Sequence, residues 1–219
     1  MQIKQKISIN GIKKKKINKL MIAVINYGSG NLRSIVNALN ELEIKNELID
    51  NPILLKKFNK IILPGVGSYF NSIKKLKKLN FFEEIKEFAD KNKSILGICL
   101  GMQILSTKGH EGGECDGLNL IEGEVNLIAK NTNISHVGWN NITIKKSKLF
   151  EKVKNDTDFY FVHSYSYKLK DEINLTSFAG FQDKKIVASI ERKNIFGVQF
   201  HPEKSLNNGL QIIKNFSEI

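Results

Sequence analysis

The chain has 219 residues, of which 41% are hydrophobic, a size and composition typical of a single domain that buries a sizeable core. Its formal net charge is +12, but residues 1–20 contain seven lysines and no acidic residue, so the other 199 residues carry only +5. Only two arginines accompany thirty-two lysines, which argues against specific nucleic-acid binding. No apolar run approaches the ~18 residues of a membrane-spanning helix. Two cysteines form no disulfide framework, which argues against a secreted disulfide-rich protein.

Residues 1–20 have no hydrophobic periodicity and include the run Lys13 to Lys16. We expect them to form a disordered basic extension, or to reflect an upstream start codon, with a polybasic tether as the alternative. The folded domain is expected to span residues 21–219. The composition favours a cytoplasmic protein with no nucleic-acid or membrane partner.

Strands and helices alternate in the first half of the chain. Short apolar runs predict strands, and apolar residues at 3.6-residue spacing predict helices between them, the first capped by Asn31. This alternation predicts a three-layer α/β fold with a mainly parallel central sheet. An antiparallel portion is expected in the second half, where residues 123–146 alternate and residues 136–140 interrupt them as a polar turn. The strands are predicted at 22–25, 46–49, 60–63, 94–98, 158–163, 176–181, 186–191 and 195–200, and the helices from 32, within 73–93, after 99 and at 206–216.

The most informative stretch is a cysteine elbow. Cys99 follows the apolar run 94–98 and lies between Gly97 and Gly101, the thiol counterpart of the Gly-x-Ser-x-Gly turn of hydrolases. Such a turn exposes the nucleophile at a helix N-terminus, which favours a thiolate, and frees the N–H of Leu100 for an oxyanion. Taken alone, a cysteine between two glycines is more often structural.

A candidate base follows another buried strand near the C-terminus. His201 is succeeded by Pro202, which restricts its backbone, and by Glu203, a carboxylate that could orient the imidazole. His163, at the end of the strand 158–163, is a competing base, but no carboxylate lies two residues after it. The sequence therefore predicts a Cys99–His201–Glu203 triad.

Six collinear segments give the chain a resemblance to a known family, the class I (triad-type) glutamine amidotransferases. Within that class it is most similar to the glutaminase subunits of imidazole glycerol phosphate synthase. The segments are 27–32, 64–68, 97–103, 136–140, 161–165 and 198–205.

The resemblance implies that the substrate is L-glutamine and that ammonia passes to a (β/α)₈ cyclase subunit in a heterodimer for histidine synthesis. It implies no cofactor, and we expect no metal, since His110 and Cys115 lack a second pair of ligands. The roles fall into three groups. The oxyanion segment is Gly65, Val66 and Gly67, with Leu100; the substrate side chains are Gln103, His163, Ser164 and Tyr165; the partner face holds Asn31, Trp139 and Lys204.

Three alternatives stay open at this point. Ser135 stands where the family commonly has proline, and the loop 113–117 is unusual for the family. Both departures leave open that the chain is a paralogue that supplies ammonia to a surface-sugar amidotransferase. The fold also serves cysteine hydrolases and peptidases. A non-enzymatic regulatory module with a decayed site is the third, which the complete triad disfavours. Trp139 could be a core residue and Lys204 a solvated charge.

Overall fold

The computed structural model describes residues 21–128 and 135–219; the expected basic extension, residues 1–20, lies outside them. The strands are β1 (Ile22–Ile25), β2 (Asn46–Ile49), β3 (Lys60–Leu63), β4 (Ser94–Ile98), β5 (Lys108–Gly109), β6 (Cys115–Asp116), β7 (Gly123–Leu127), β8 (His136–Ile144), β9 (Thr157–His163), β10 (Tyr165–Leu169), β11 (Leu175–Phe181), β12 (Lys184–Arg192) and β13 (Ile195–Val198). The α-helices are α1 (Leu32–Glu41), α2 (Tyr69–Lys78), α3 (Phe81–Asp90), α4 (Leu100–Gln103) and α5 (Leu206–Glu218).

A nine-stranded sheet forms the centre, in the order β2-β1-β3-β4-β13-β12-β11-β8-β9. The first five strands pair in parallel, and the remaining four continue the sheet through antiparallel pairings. β4 lies between β3 and β13, with Gly97 opposite both Leu63 and Gly197. The residues that follow these three neighbouring strands therefore meet at one edge, the usual position of a site in such sheets.

Helices cover both faces of the sheet, and the alternation of side chains along β1 separates the two cores. Ala23 and Ile25 join the core under α2 and α3, while Ile22 and Val24 join the core under α1 and α5. A parallel strand with both faces covered is apolar throughout, as these four fully buried residues are. The arrangement confirms the predicted three-layer α/β fold.

A second sheet of four short strands, β10-β7-β5-β6, packs on the side of α2 and α3. Its strand β6 lies within the expected loop 113–117, and β5 and β10 occupy segments where no strand was predicted. β5 and β6 have two residues each, too few to show a periodic pattern. No helix among residues 21–128 and 135–219 is long and apolar enough to cross a membrane.

Two local predictions are wrong. Residues 136–140 are not a turn but the first half of the nine-residue strand β8, which pairs with β9 along most of its length. Gly138 has φ of 127°, but its neighbours on both sides pair with β9, so the strand is continuous. Asn31 precedes α1 without capping it, because its side chain accepts no hydrogen bond from the first turn.

Candidate active site

Cys99 lies in the strained turn that the sequence predicts. It follows β4 directly, precedes α4, and has φ of 54° and ψ of −113°, a positive-φ conformation that non-glycine residues rarely adopt. The flanking glycines make the turn possible: a Cβ on Gly97 would lie 2.6 Å from the carbonyl oxygen of Gly101, and one on Gly101 would lie 1.9 Å from that of Leu63. The cysteine is buried, with an exposed fraction of 6%.

His201 and Glu203 come together after β13. Nδ1 of His201 lies 2.8 Å from Oε1 of Glu203, and both side chains are almost fully buried. The backbone of His201 is fixed twice, because its N–H donates to the carbonyl oxygen of Tyr160 at 2.9 Å and its own carbonyl accepts from Oγ of Ser205 at 2.7 Å. The imidazole is therefore held at both its ring and its backbone.

The charge state of His201 follows from these neighbours. Burial by itself lowers the pKa of His201, but the interactions with Cys99 and Glu203 raise it, and the net result is a pKa of about 10. At neutral pH the imidazolium is thus the favoured form beside the thiol. Nε2 of His201 and Oε2 of Glu203 are buried and make no hydrogen bond within the described residues, so Nε2 is free to act on a bound molecule.

A cavity of about 330 Å³ opens above the cysteine. Its lining includes residues predicted for four roles, which are the nucleophile, the base, the oxyanion segment and the substrate side chains. Gly65 is the one predicted oxyanion residue that does not line the cavity; it packs beneath the elbow, where a Cβ would lie 2.7 Å from the backbone nitrogen of Gly101. The predicted residues that line it are Val66, Gly67, Cys99, Leu100, Gln103, His163, Ser164, Tyr165 and His201.

Polar contacts arrange the predicted substrate residues around the thiol. Nε2 of Gln103 donates to the carbonyl oxygen of Tyr165 at 3.0 Å and to Oε1 of Gln199 at 2.9 Å. Nε2 of Gln199 in turn lies 3.7 Å from Sγ of Cys99. His163 is bonded to the same Tyr165 carbonyl through Nδ1 at 2.8 Å. This network links the cysteine to the start of β10.

Three polar residues of the site were missed from the sequence. Gln199 is a fully buried polar residue that interrupts the apolar run before His201, and that interruption was a usable signal. Glu111 lines the cavity, and burial raises its pKa even though its carboxylate accepts from the N–H of Tyr69 at 3.0 Å. Ser135 also lines the cavity and lies 2.7 Å, Oγ to Oγ, from Ser164. Nothing local in the sequence places the last two there.

Two of the predicted partner residues, Trp139 and Lys204, lie around exposed apolar surface. Trp139 is 51% exposed and meets the ring of Tyr160 edge-on at 6.0 Å, and Nζ of Lys204 lies 5.7 Å from the centre of the same ring. Val137 and Val162 are exposed beside them on β8 and β9 and also line the cavity. Trp139 is therefore a surface residue, not a core residue. Within the described residues no cluster of three or more His, Cys, Asp or Glu side chains could hold a metal ion.

Comparisons with known proteins identify the family of the chain. The family model "Glutamine amidotransferase class-I" matches residues 23–219. The imidazole glycerol phosphate synthase subunit HisH 1 of Campylobacter jejuni subsp. jejuni serotype O:23/36 is 45% identical over 203 residues, which cover 91% of this chain and 100% of that protein. Subunit HisH of Caldanaerobacter subterraneus subsp. tengcongensis is 44% identical over 200 residues, 91% of this chain and 98% of that protein.

Solved structures share the fold at lower identity. The structure of PurLQS from Thermotoga maritima gives a TM-score of 0.70 at 19% identity, covering 91% of this chain and 98% of that one. A glutamine amidotransferase from Thermotoga maritima superposes with a TM-score of 0.61 at 18% identity, covering 90% of this chain and 82% of that one. The chain belongs to the class I glutamine amidotransferases and, within them, to the HisH subunits of imidazole glycerol phosphate synthase.

Proposed function

We propose that the chain hydrolyses L-glutamine to glutamate and ammonia, and that the ammonia passes to a (β/α)₈ cyclase subunit that makes imidazole glycerol phosphate for histidine synthesis. The observation that carries the chemistry is the convergence of a strained, buried cysteine with a histidine whose other ring nitrogen is bound by a buried carboxylate. Neither group has this arrangement for structural reasons alone, since both the turn and the buried charge are costly.

The triad accounts for each proton. The Cys99 thiolate attacks the side-chain carbonyl carbon of glutamine, and the His201 imidazolium gives its proton to the nitrogen as the C–N bond breaks and ammonia leaves. Neutral His201 then takes a proton from water, whose oxygen attacks the thioester. The tetrahedral intermediate expels the thiolate, glutamate departs, and the thiolate–imidazolium pair is restored. Glu203 holds the ring and stabilises its charge throughout.

We assign the oxyanion site to the peptide N–H groups near Val66 and Gly67 and to that of Leu100, the residue after the nucleophile. Gly67 has φ of 93°, and a Cβ there would meet no atom within 4 Å, so the restriction at this position is conformational rather than spatial. One glycine with this freedom makes reorientation of the peptide inexpensive. Loss of a single donor costs about 10²–10³ in turnover, so the peptide could control most of the activity.

The cavity suits the two charged ends of a free amino acid. The carboxylate of Glu111 lies on its wall and is available to a substrate ammonium group, and Gln103, Ser164 and Tyr165 also line the cavity. Oε1 of Gln103 accepts no hydrogen bond from the described residues, which leaves it for a substrate N–H. These features favour glutamine over the peptide substrates of cysteine peptidases, which have no free amino group at this point.

The cyclase partner is proposed to bind the surface made by Trp139, Tyr160 and Lys204, with Val137 and Val162 at the mouth of the cavity. The loop that precedes Asn31 connects to the oxyanion segment, because Oγ of Ser29 donates to the carbonyl oxygen of Val66 at 2.6 Å. A partner that contacts Asn31 could therefore shift the Val66–Gly67 peptide. We expect slow hydrolysis by the isolated chain and strong stimulation by the partner with its acceptor ligand.

The deciding experiment is the variant Cys99→Ser assayed with the co-purified partner. Synthesis from glutamine should fall by about 10⁴–10⁶, the range of single triad losses, whereas synthesis from added ammonium should be unchanged. Equal losses with both nitrogen sources would refute the role of Cys99.

A second candidate, ammonia supply to a surface-sugar amidotransferase, is favoured by Ser135 in the cavity wall. It would be established if the co-purified chain were a sugar-modifying enzyme instead of a cyclase.

A further inference from the structure

A chain of hydrogen bonds joins β8 to the substrate cavity through two buried histidines. Nδ2 of Asn140 lies 3.0 Å from Nε2 of His136, and Nδ1 of His136 lies 3.0 Å from Nε2 of His163. Nδ1 of His163 reaches the carbonyl oxygen of Tyr165 at 2.8 Å. His136 and His163 are cross-strand partners in the β8–β9 pairing, and they are only 3% and 8% exposed.

Two carbonyl groups, one at each end, fix the direction of this chain. The Tyr165 carbonyl can only accept, so Nδ1 of His163 carries the hydrogen and Nε2 of the neutral ring must accept. Nδ1 of His136 is then the donor, and its Nε2 accepts. At the other end Nδ2 of Asn140 also donates to the carbonyl of Gly180 at 2.7 Å, which orients its amide independently and leaves one N–H for His136. Both ends give the same assignment.

Every donor in the chain has one acceptor when both rings are neutral. A proton added to either histidine would make two N–H groups face each other, or would turn Asn140 away from Gly180. Packing holds the first ring in place, because His136 lies between Phe161 and Phe181 with both ring centres at 4.5 Å. His163 therefore has no free nitrogen with which to act as a general base, and its function must be exerted through the Tyr165 carbonyl.

That carbonyl is shared with the substrate site. It also accepts from Nε2 of Gln103, whose remaining amide oxygen faces no donor among the described residues. We infer that His136 is a positioning residue for glutamine: it holds His163 in the Nδ1–H tautomer and thereby fixes Tyr165 and Gln103, although it does not line the cavity. The inference rests on the proposed glutaminase function for its kinetic consequence, but the tautomers follow from the contacts alone.

Ring tautomers are measured directly by long-range ¹⁵N–¹H correlation spectra of the tag-free chain labelled with ¹⁵N-histidine, which has four histidines. His110→Gln, His136→Asn and His163→Gln assign the signals of three rings, and the fourth set of signals is that of His201. We expect both His136 and His163 to be neutral with hydrogen on Nδ1 at pH 7.5. A charged ring, or hydrogen on Nε2 of either histidine, overturns the inference. This measurement requires no activity.

The kinetic test compares two variants in complex with the partner. His136→Phe keeps the packing between the two phenylalanines but removes the donor, and His136→Asn keeps an N–H at the same number of bonds from the backbone. We expect His136→Phe to raise the KM for glutamine about tenfold with a smaller change in kcat, the factor of one ordinary hydrogen bond, and His136→Asn to stay within about threefold of wild type. Equal values for the two variants refute the positioning role. An inactive wild-type complex would refute the proposed function instead.

Discussion

The contribution of Glu203 can be separated from that of His201 by the variant Glu203→Gln. Glutamine has nearly the same shape and can still accept from Nδ1 of His201, which lies 2.8 Å from the present carboxylate. It lacks the negative charge, and its amide nitrogen would take the place of Oε2, an atom that has no partner among the described residues. The variant therefore loses a charge-assisted hydrogen bond and gains an unsatisfied buried donor.

Both losses have typical magnitudes. A hydrogen bond to a charged group contributes about 1.5–3 kcal/mol against about 1 kcal/mol for a neutral pair, and a buried unsatisfied donor costs about 1–3 kcal/mol. Their sum of about 1.5–5 kcal/mol corresponds to a loss of at most about 10-fold to 5 × 10³-fold in kcat/KM. His201→Ala removes the base itself and should lose about 10⁴ or more.

The assay is glutamate release by the complex, with synthesis from ammonium as the control that reports on the assembly. A second readout is the pH profile. Because Glu203 contributes to raising the pKa of His201 to about 10, its loss should lower that pKa and move the alkaline limb of kcat/KM toward neutral pH. Equal impairment of Glu203→Gln and His201→Ala would contradict an orienting role for Glu203. A greater loss in His163→Ala, with glutamine binding intact, would contradict the assignment of His201 as the base.

Four other predictions concern single residues or segments. Gly101→Ala places a Cβ 1.9 Å from the Leu63 carbonyl oxygen, and a cost of ~3 kcal/mol should lower the Tm measured by calorimetry by about 6–12 °C. The control Gly180→Ala should leave the Tm unchanged, because a Cβ at this position meets no atom within 4 Å. Burial lowers the pKa of His163 from 6.5 to about 4, so the unfolded chain binds this proton at a higher pH than the folded chain does. The free energy of unfolding of the wild type should therefore fall by up to ~3 kcal/mol between pH 6.5 and 4 because of this group. His163→Gln should lack this part of the fall in urea unfolding. Lys204→Ala should reduce the stimulation of glutamate release by partner and ligand but preserve the slow basal rate, while similar rates for chain, complex and liganded complex would refute gating. Removal of residues 1–20 should change neither glutaminase activity nor partner affinity in a pull-down titration, and a clear drop in either would show that the extension is functional.

The parallel half of the fold was predictable because its signals are local. Each of β1, β3, β4 and β13 is a short, largely apolar run with both of its faces buried, so nearly every residue in it is informative. The elbow was predictable because its pattern, a glycine two residues before and two residues after Cys99, is contained in five consecutive residues. The contact that requires Gly101 is not local, since it comes from Leu63 at the end of β3.

The strand β8 was misjudged because its determinants are distant. Its burial alternates with a period of two, but the inward-facing residues of its first half are His136, Gly138 and Asn140 instead of apolar ones, and continuity depends on seven cross-strand partners in β9 that no local pattern reveals. Glu111 was missed for a related reason, since the loop that carries it is drawn to the cavity by the N–H of Tyr69, 42 residues earlier. Side chains positioned by contacts across the chain carry no periodic signal.

The two strand-end histidines were distinguished in the sequence by one feature, the carboxylate two residues after His201, and in the structure this carboxylate is bonded to Nδ1 of His201. The acceptor at Nδ1 of His201 is an anion, which favours the charged ring, whereas the acceptor at Nδ1 of His163 is a neutral carbonyl and the group at its Nε2 is a donor. Burial of the same imidazole therefore ends in opposite pKa shifts, upward for His201 and downward for His163. Two titratable groups whose environments separate their pKa values divide the work of a site between them: one moves protons, and the other holds the polar framework in a single hydrogen-bonded state.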